Sequence, residues 1–133
     1  MIVVDTSVWI DFFRDTGTWQ VEHLAQLIAD DEPVALTDIV LTEILQGLPS
    51  DREARRVERR LLAFDVLRLE GLDDSRRAAS LHRQARAKGV TIRRTLDCLI
   101  ASVCVRDGAT VLHSDAAFDH LATCTDLRVV ARA

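Results

Sequence analysis

The sequence predicts an α/β fold, a single layered domain on a five-stranded, mainly parallel sheet flanked by helices. Three observations carry that expectation. Five short apolar runs alternate with stretches in which apolar residues recur at helical spacing, the pattern of repeated βα units. A length of 133 residues suits one domain and makes a second independent core improbable. Hydrophobic residues make up 48% of the chain and aromatic residues 5%, so the interior must be built from Val, Leu, Ile and Ala, which favours layers of helix and sheet.

Taken in order, residues 2–4 read as the first strand, followed by a helix through Val8, Trp9, Ile10 and Phe13. Val21, Leu24, Ala25 and Ile28 mark one face of the next helix, and residues 34–36 the second strand. Leu41, Ile44, Leu45 and Leu48 mark a helix closed by Gly47 and Pro49. Ser50-x-x-Glu53 has the form of a capping box, with Ala54, Val57 and Leu61 as the apolar stripe of the helix it starts. Residues 66–69 form the third strand; a helix capped by Ser75 and ended at Gly89 comes next. Leu96, Leu99, Ile100 and Val103 mark another helix, ended by Gly108, and residues 110–113 and 127–130 supply the last two strands. No repeat, low-complexity segment or linker interrupts the series, so residues 1–133 are assigned to one domain.

No apolar run approaches the ~18 residues of a membrane span, and Met1 leads straight into Ile2-Val3-Val4-Asp5 without a basic, cleavable leader; a soluble cytoplasmic protein is expected. Cys98, Cys104 and Cys124 are odd in number and match neither a disulfide framework nor a zinc knuckle, so they are read as reduced and mostly buried. A formal charge of −4 argues against a simple electrostatic nucleic-acid binder. The basic residues are nevertheless clustered. Arg52, Arg55, Arg56, Arg59 and Arg60 form one group; Arg76, Arg77, Arg83, Arg86, Lys88, Arg93 and Arg94 form another. All but Lys88 are arginine, whose planar fork suits phosphate; taken alone, a solvated helix face with ion pairs is the simpler reading, since Glu53 and Glu58 sit among those arginines.

The absences are informative. Without tyrosine there is no phosphotyrosyl nuclease mechanism. Glycines 17, 47, 71, 89 and 108 form neither a P-loop nor a dinucleotide fingerprint, and no Gly-x-Ser-x-Gly elbow occurs. His23, His82, His113 and His120 lack metal-ligand spacing and are read as satisfied histidines. What stands out instead is a set of carboxylates. Asp5 directly follows the first strand, where ligands bind in open α/β sheets, or else caps the helix that follows with Thr6 and Ser7. Glu43 is a lone acid in the apolar helix Ile39-Val40-Leu41-Thr42-Glu43-Ile44-Leu45, facing either solvent or a cleft. Asp97 sits in the first turn of a nearly uncharged helix; the helix dipole suffices to explain it, yet so apolar a helix is buried and its acid calls for a partner. Asp115 follows the fourth strand as Asp5 follows the first, and Asp119 lies one helical turn further.

Convergence of these acids on one cleft is geometrically easy. An all-oxygen set suits Mg²⁺ or Mn²⁺ rather than zinc. Like charges ~4 Å apart repel by ~4 kcal/mol at an effective dielectric near 20, so the cluster needs a cation or partial protonation. A metal held there can activate water for in-line attack on a phosphodiester.

Four blocks, Ile2-Val3-Val4-Asp5-Thr6-Ser7-Val8-Trp9-Ile10, Glu43 followed by Gly47, Thr95-Leu96-Asp97-Cys98-Leu99-Ile100-Ala101 and Val111-Leu112-His113-Ser114-Asp115, resemble in order those of PIN-domain VapC toxins. The resemblance implies a PIN domain and an endoribonuclease dependent on Mg²⁺ or Mn²⁺, with acids at Asp5, Glu43, Asp97 and Asp115. Asp5, Asp97 and Asp115 would be direct metal ligands, Glu43 would serve a second metal or its water, and Ser7 would hold the cluster by a hydrogen bond. It further implies a homodimer with two sites along one groove, a VapB-type antitoxin that inhibits by filling it, and structured RNA such as tRNA as substrate. The chain departs from the family at Ala117, where a second late acid is usual; Asp119 either compensates or is a plain helix-start acid, and in the latter case a second metal would be weakly held. Two rivals remain. Haloacid-dehalogenase phosphatases and response-regulator receivers also open with a strand and an acid, but the former want an acid at Ser7 and the latter an acidic pair and a late lysine. The second rival is a catalytically inactive PIN scaffold that binds RNA or a protein partner.

Overall fold

In the computed structural model of the chain, which describes residues 1–132, five strands form one sheet: β1 (Ile2–Val4), β2 (Val34–Thr37), β3 (Asp65–Leu67), β4 (Thr110–Leu112) and β5 (Arg128–Val129). Their order is β3-β2-β1-β4-β5, and each of the four pairings is parallel. Ala133, the last residue of the expected domain, lies outside the described residues. The helices are α1 (Thr6–Arg14), α2 (Trp19–Ala29), α3 (Asp38–Gln46), α4 (Asp51–Leu61), α5 (Gly71–Ala87), α6 (Thr95–Asp107) and α7 (Ala116–Cys124). The α/β expectation holds; apolar periodicity marks five of these helices, and cap and stop signals a sixth. Among the described residues no helix is long and apolar enough to cross a membrane.

The aliphatic core sits where the composition places it. Val3, Val4, Leu36, Val111 and Leu112 of the sheet are fully buried in one cluster with Ile100, Cys104, Phe118 and Leu121 of the helices. Trp9 is the largest fully buried side chain; its indole N–H donates to Val4 O at 3.0 Å, which satisfies the one polar atom its burial would otherwise strand. Cys98 and Cys104 are buried and Cys124 half-buried, all three as free thiols.

Several strand ends differ from expectation by one or two residues; the end of β3 and the start of α5 differ for identifiable reasons. The third strand stops at Leu67 rather than 69 because the Leu69 N–H turns to the Asp38 carboxylate, 3.2 and 3.3 Å from its two oxygens, instead of to a strand neighbour. Ser75 does not cap α5, which begins four residues earlier at Gly71, in the left-handed region at φ 57°. Asp74 reaches back to accept the Glu70 N–H and supplies the start signal from inside the helix. Fully buried, Asp74 also pairs with Arg77 and Arg106, while its carbonyl accepts from Ser102 of α6. The predicted Ser50 cap does form, accepting the Glu53 N–H at 3.2 Å.

The strand order fixes where a site can be. The chain runs outward from β1 through β2 to β3, then returns to the other side of β1 for β4 and β5. β1 and β4 therefore flank the topological switch point, where a crevice opens beyond the carboxyl ends of the strands. Asp5 follows β1 and its N–H donates to Leu112 O, the last residue of β4, at 3.0 Å.

Candidate active site

A cleft of about 360 Å³ lies at that switch point, lined by Asp5, Thr6, Glu43, Arg94, Ser114 and Asp115 among others. A second hollow of about 590 Å³ adjoins it through Arg94 and Asp115 and reaches Asp97. The four acids singled out from the sequence thus line two adjoining hollows that share Arg94 and Asp115, and are delivered by four different elements.

Asp5 occupies the N-cap position of α1 but forms no side-chain cap bond, and it is 6% exposed. Burial pushes its carboxyl up to about 7; the Thr6 backbone N–H draws it down, and Glu43, Asp97 and Asp115 push it up further. Three acids of its own sign therefore bear on Asp5, with the Arg94 guanidinium as an opposite charge further off. Asp97 stands in the first turn of α6, a helix that also buries Cys98, Ile100, Ala101, Ser102, Val103 and Cys104. Burial raises its carboxyl as well, opposed by the Arg94 guanidinium and reinforced by Asp115 and Glu43. Glu43, on α3, points into the cleft rather than to solvent: its Oε1 accepts from Thr6 Oγ1 at 3.0 Å and its Oε2 from Arg94. Asp115 is the N-cap of α7, with Oδ1 accepting the Ala117 N–H at 2.9 Å. Its other oxygen accepts no hydrogen bond among the described residues and is free to meet a ligand.

Three residues stand elsewhere than the sequence suggested. Ser7 bonds Ser114 Oγ at 2.7 Å, tying the ends of β1 and β4 together; the hydroxyl that reaches an acid is that of Thr6. Asp119 does not join the acids bearing on Asp5 or Asp97. It pairs with buried His113 at 3.1 Å from Nε2. Because His113 Nδ1 accepts the Asp115 N–H at 3.0 Å, the neutral ring carries its proton on Nε2 and donates it to Asp119. Arg94, which reads as one member of a basic cluster, faces the carboxylates and lies 4.0 Å from Asp97 Oδ1. Thr6, Arg94 and His113 are the site-building residues that pattern reasoning passed over.

The family model described as the PIN domain matches residues 2–123. Ribonuclease VapC11 of Mycobacterium tuberculosis is 36% identical over 129 residues, 96% of each chain. The chain belongs to the PIN-domain family, among the VapC ribonucleases. Ribonuclease VapC51 of the same organism is 33% identical over 123 residues, covering 92% of this chain and 86% of that one. The fold is also that of VapBC2 from Rickettsia felis, solved bound to a DNA fragment from its promoter, at a TM-score of 0.77 and 18% identity over 98% of both chains.

In this PIN domain the donors converging on the cleft are all carboxylate oxygens, which suit a hard divalent cation. Asp5 is buried and raised with like charges around it, the condition a cation relieves. On donor chemistry the residues fit Mg²⁺ or Mn²⁺. In spacing, no three Asp, Glu, His or Cys side chains among the described residues are yet gathered closely enough to hold an ion, and Glu43 is engaged by Arg94.

Proposed function

We propose that the chain is a Mg²⁺- or Mn²⁺-dependent endoribonuclease, the toxin of a VapBC-type pair, and that Asp5, Glu43, Asp97 and Asp115 are its catalytic residues. The observation that carries the reading is the convergence of these four acids at the β1/β4 switch point, with Asp5 buried among like charges. Asp5, Asp97 and Asp115 are the direct metal ligands in this reading. Glu43 serves a second ion or holds the attacking water.

A divalent cation bound there would activate water and offset charge developing on the phosphate. The chain's own contribution is orientation. The Asp5 backbone is pinned to β4 by its bond to Leu112 O, and the Asp115 backbone by its bond to the His113 ring. Thr6 fixes one oxygen of Glu43, so that carboxylate turns as a unit about a held edge. Asp5, with its carboxyl at about 7, is half ionised near neutral pH before any cation enters and must release its proton when one does.

Substrate and partner follow from the relatives and from the charge distribution. The relatives VapC11 and VapC51 carry the name ribonuclease; structured RNA such as tRNA is the substrate that the family resemblance leads us to propose. Arg52, Arg56 and Arg59 line one hollow on α4 and offer phosphate contacts there. VapBC structures share the fold, which supports a VapB-type antitoxin and assembly as a homodimer within a hetero-oligomer.

Purified protein, incubated with total cellular RNA and Mn²⁺ or Mg²⁺, should cut it; chelator, Asp5→Ala and Asp97→Ala should each abolish cutting. Metal-independent cutting, or cutting that survives both substitutions, would refute the site. No cutting together with no metal uptake would leave the inactive RNA- or protein-binding scaffold as the better reading.

A further inference from the structure

The four acids are unequally supplied with counter-charge. Arg94, at the N-cap position of α6, donates to Glu43 Oε2 and stands 4.0 Å from Asp97 Oδ1, whereas its charge reaches Asp5 only from beyond ion-pair distance. Since Thr6 holds the other oxygen of Glu43, both oxygens of that carboxylate are occupied. The pair is not built like a structural clamp. In the buried network of Asp74 the arginine Arg106 is 19% exposed, while Arg94 is 51% exposed against 13% for Glu43. It also precedes α6 on residues 90–94, which have no regular secondary structure, and it borders both hollows that meet at the acids. Its guanidinium can leave Glu43 without opening the core.

We propose that Arg94 is a positioning residue that exchanges partners, holding Glu43 in place of a divalent cation in the metal-free protein and turning to an RNA phosphate once the cation has entered. This rests on the metal-dependent reading given above. A guanidinium fork fits carboxylate and phosphate equally well, so the same side chain can serve both anions. A divalent cation among these carboxylates repels a guanidinium within a few ångströms and competes for the same oxygen. The phosphate arriving with RNA is then the nearest anion left to it. The exchange keeps Glu43 from facing three other acids without a cation, and it delivers a phosphate contact when the site is ready to use one.

The test compares the full chain with Arg94→Gln and Arg94→Lys. Calorimetry of Mn²⁺ binding to the metal-free proteins should show Arg94→Gln binding Mn²⁺ roughly fivefold more tightly than wild type, the factor expected for losing a half-exposed competing ion pair. Anisotropy with labelled bulk tRNA should show Arg94→Gln binding about tenfold more weakly when Ca²⁺ fills the site, as for a lost charge-assisted phosphate contact. In chelator, where Arg94 is committed to Glu43, the two proteins should bind tRNA alike. Lysine keeps the charge without the fork and should restore most of the tRNA affinity; should Arg94→Gln not fold, Arg94→Lys carries the same comparison with changes of about twofold. Equal or weaker Mn²⁺ binding by the variant overturns the proposal, as does a loss of tRNA affinity that is the same with and without Ca²⁺. Absence of Mn²⁺ binding by the wild type would sink the metal-dependent reading itself, a different failure read from a different sample.

Discussion

Asp5→Asn should stabilise the metal-free protein while abolishing its activity, and the gain should depend on pH in a way that identifies its cause. The native carboxyl holds its proton up to about 7 instead of the ordinary 3.8, mainly because Asp5 is buried. A native state that binds a proton more tightly than the unfolded chain loses stability as pH rises between those two values; the penalty is absent below the lower and complete above the upper. At 1.36 kcal/mol per pH unit, the interval from 3.8 to about 7 corresponds to about 4 kcal/mol, an upper bound because water drawn toward the ionised group softens it. Asparagine has nearly the same shape and cannot ionise. The variant should therefore match wild type at pH 4 and exceed it by up to about 4 kcal/mol at pH 8, roughly 10 °C in melting temperature for a chain of this length. The assay is urea or thermal unfolding in chelator at pH 4, 6 and 8. A gap that stays constant across that range, or no gap at pH 8, would refute the burial argument. Added Mn²⁺ should then raise the wild type more than the variant, since a ligand stabilises the state it binds.

Removing Asp74 should act on the fold alone: it leaves Arg77 and Arg106 without their shared anion and α5 without its Glu70 contact, and Asp74→Ala should cost about 3 kcal/mol in urea unfolding, less than a fully buried pair because both arginines keep some solvent. A cost under about 1 kcal/mol would show the network to be effectively solvated. Asp119→Ala should still bind Mn²⁺ and cut RNA, whereas Asp115→Ala should lose both; equal losses would mean that Asp119 does supply the acid missing at Ala117. Burial, with the nearby charges of Asp5 and Asp107, pushes the Cys104 thiol up to about 12, and burial also raises Cys98. Iodoacetamide at pH 8 should therefore label half-buried Cys124 first in the native protein, as peptide mass mapping would show. Prior labelling of Cys104 would contradict the packing around α6.

The parts of the fold that could be read from the sequence are those whose signal is local. Residues 2–4, 34–36 and 110–113 stand out as apolar runs because β1, β2 and β4 lie at the centre of the sheet, with Val3, Leu36 and Val111 fully buried. Edge strands are less distinct: β3 begins with exposed Asp65, and β5 spans two residues beginning with exposed Arg128. Helix α7 buries only Phe118 and Leu121, too short a stripe to stand apart from the strand before it. Ser75 has the right chemistry for a cap, but Gly71 and the backward reach of Asp74 start α5 earlier, and neither is signalled by a capping pattern.

The site divides along the same line. Each acid carries a local mark, at a strand end or on an apolar helix, and the four line two adjoining hollows. Their partners carry none. Thr6 and Ser7 are neighbours of similar chemistry, and about 100° of helical rotation decides which hydroxyl reaches Glu43 and which reaches Ser114. Arginine count was equally silent on use: Arg76 and Arg77 spend their charge on Asp73 and Asp74, and Arg60 lies 4.6 Å above the Phe13 ring. Arg94 and Glu43 are 51 positions apart, so their contact exists only through the packing of α3 beside α6. Acidity for the cation is thus written in short motifs, while the restraint on that acidity depends on tertiary structure. A variant that keeps every motif but shifts α6 against α3 should therefore retain the acids and lose their control.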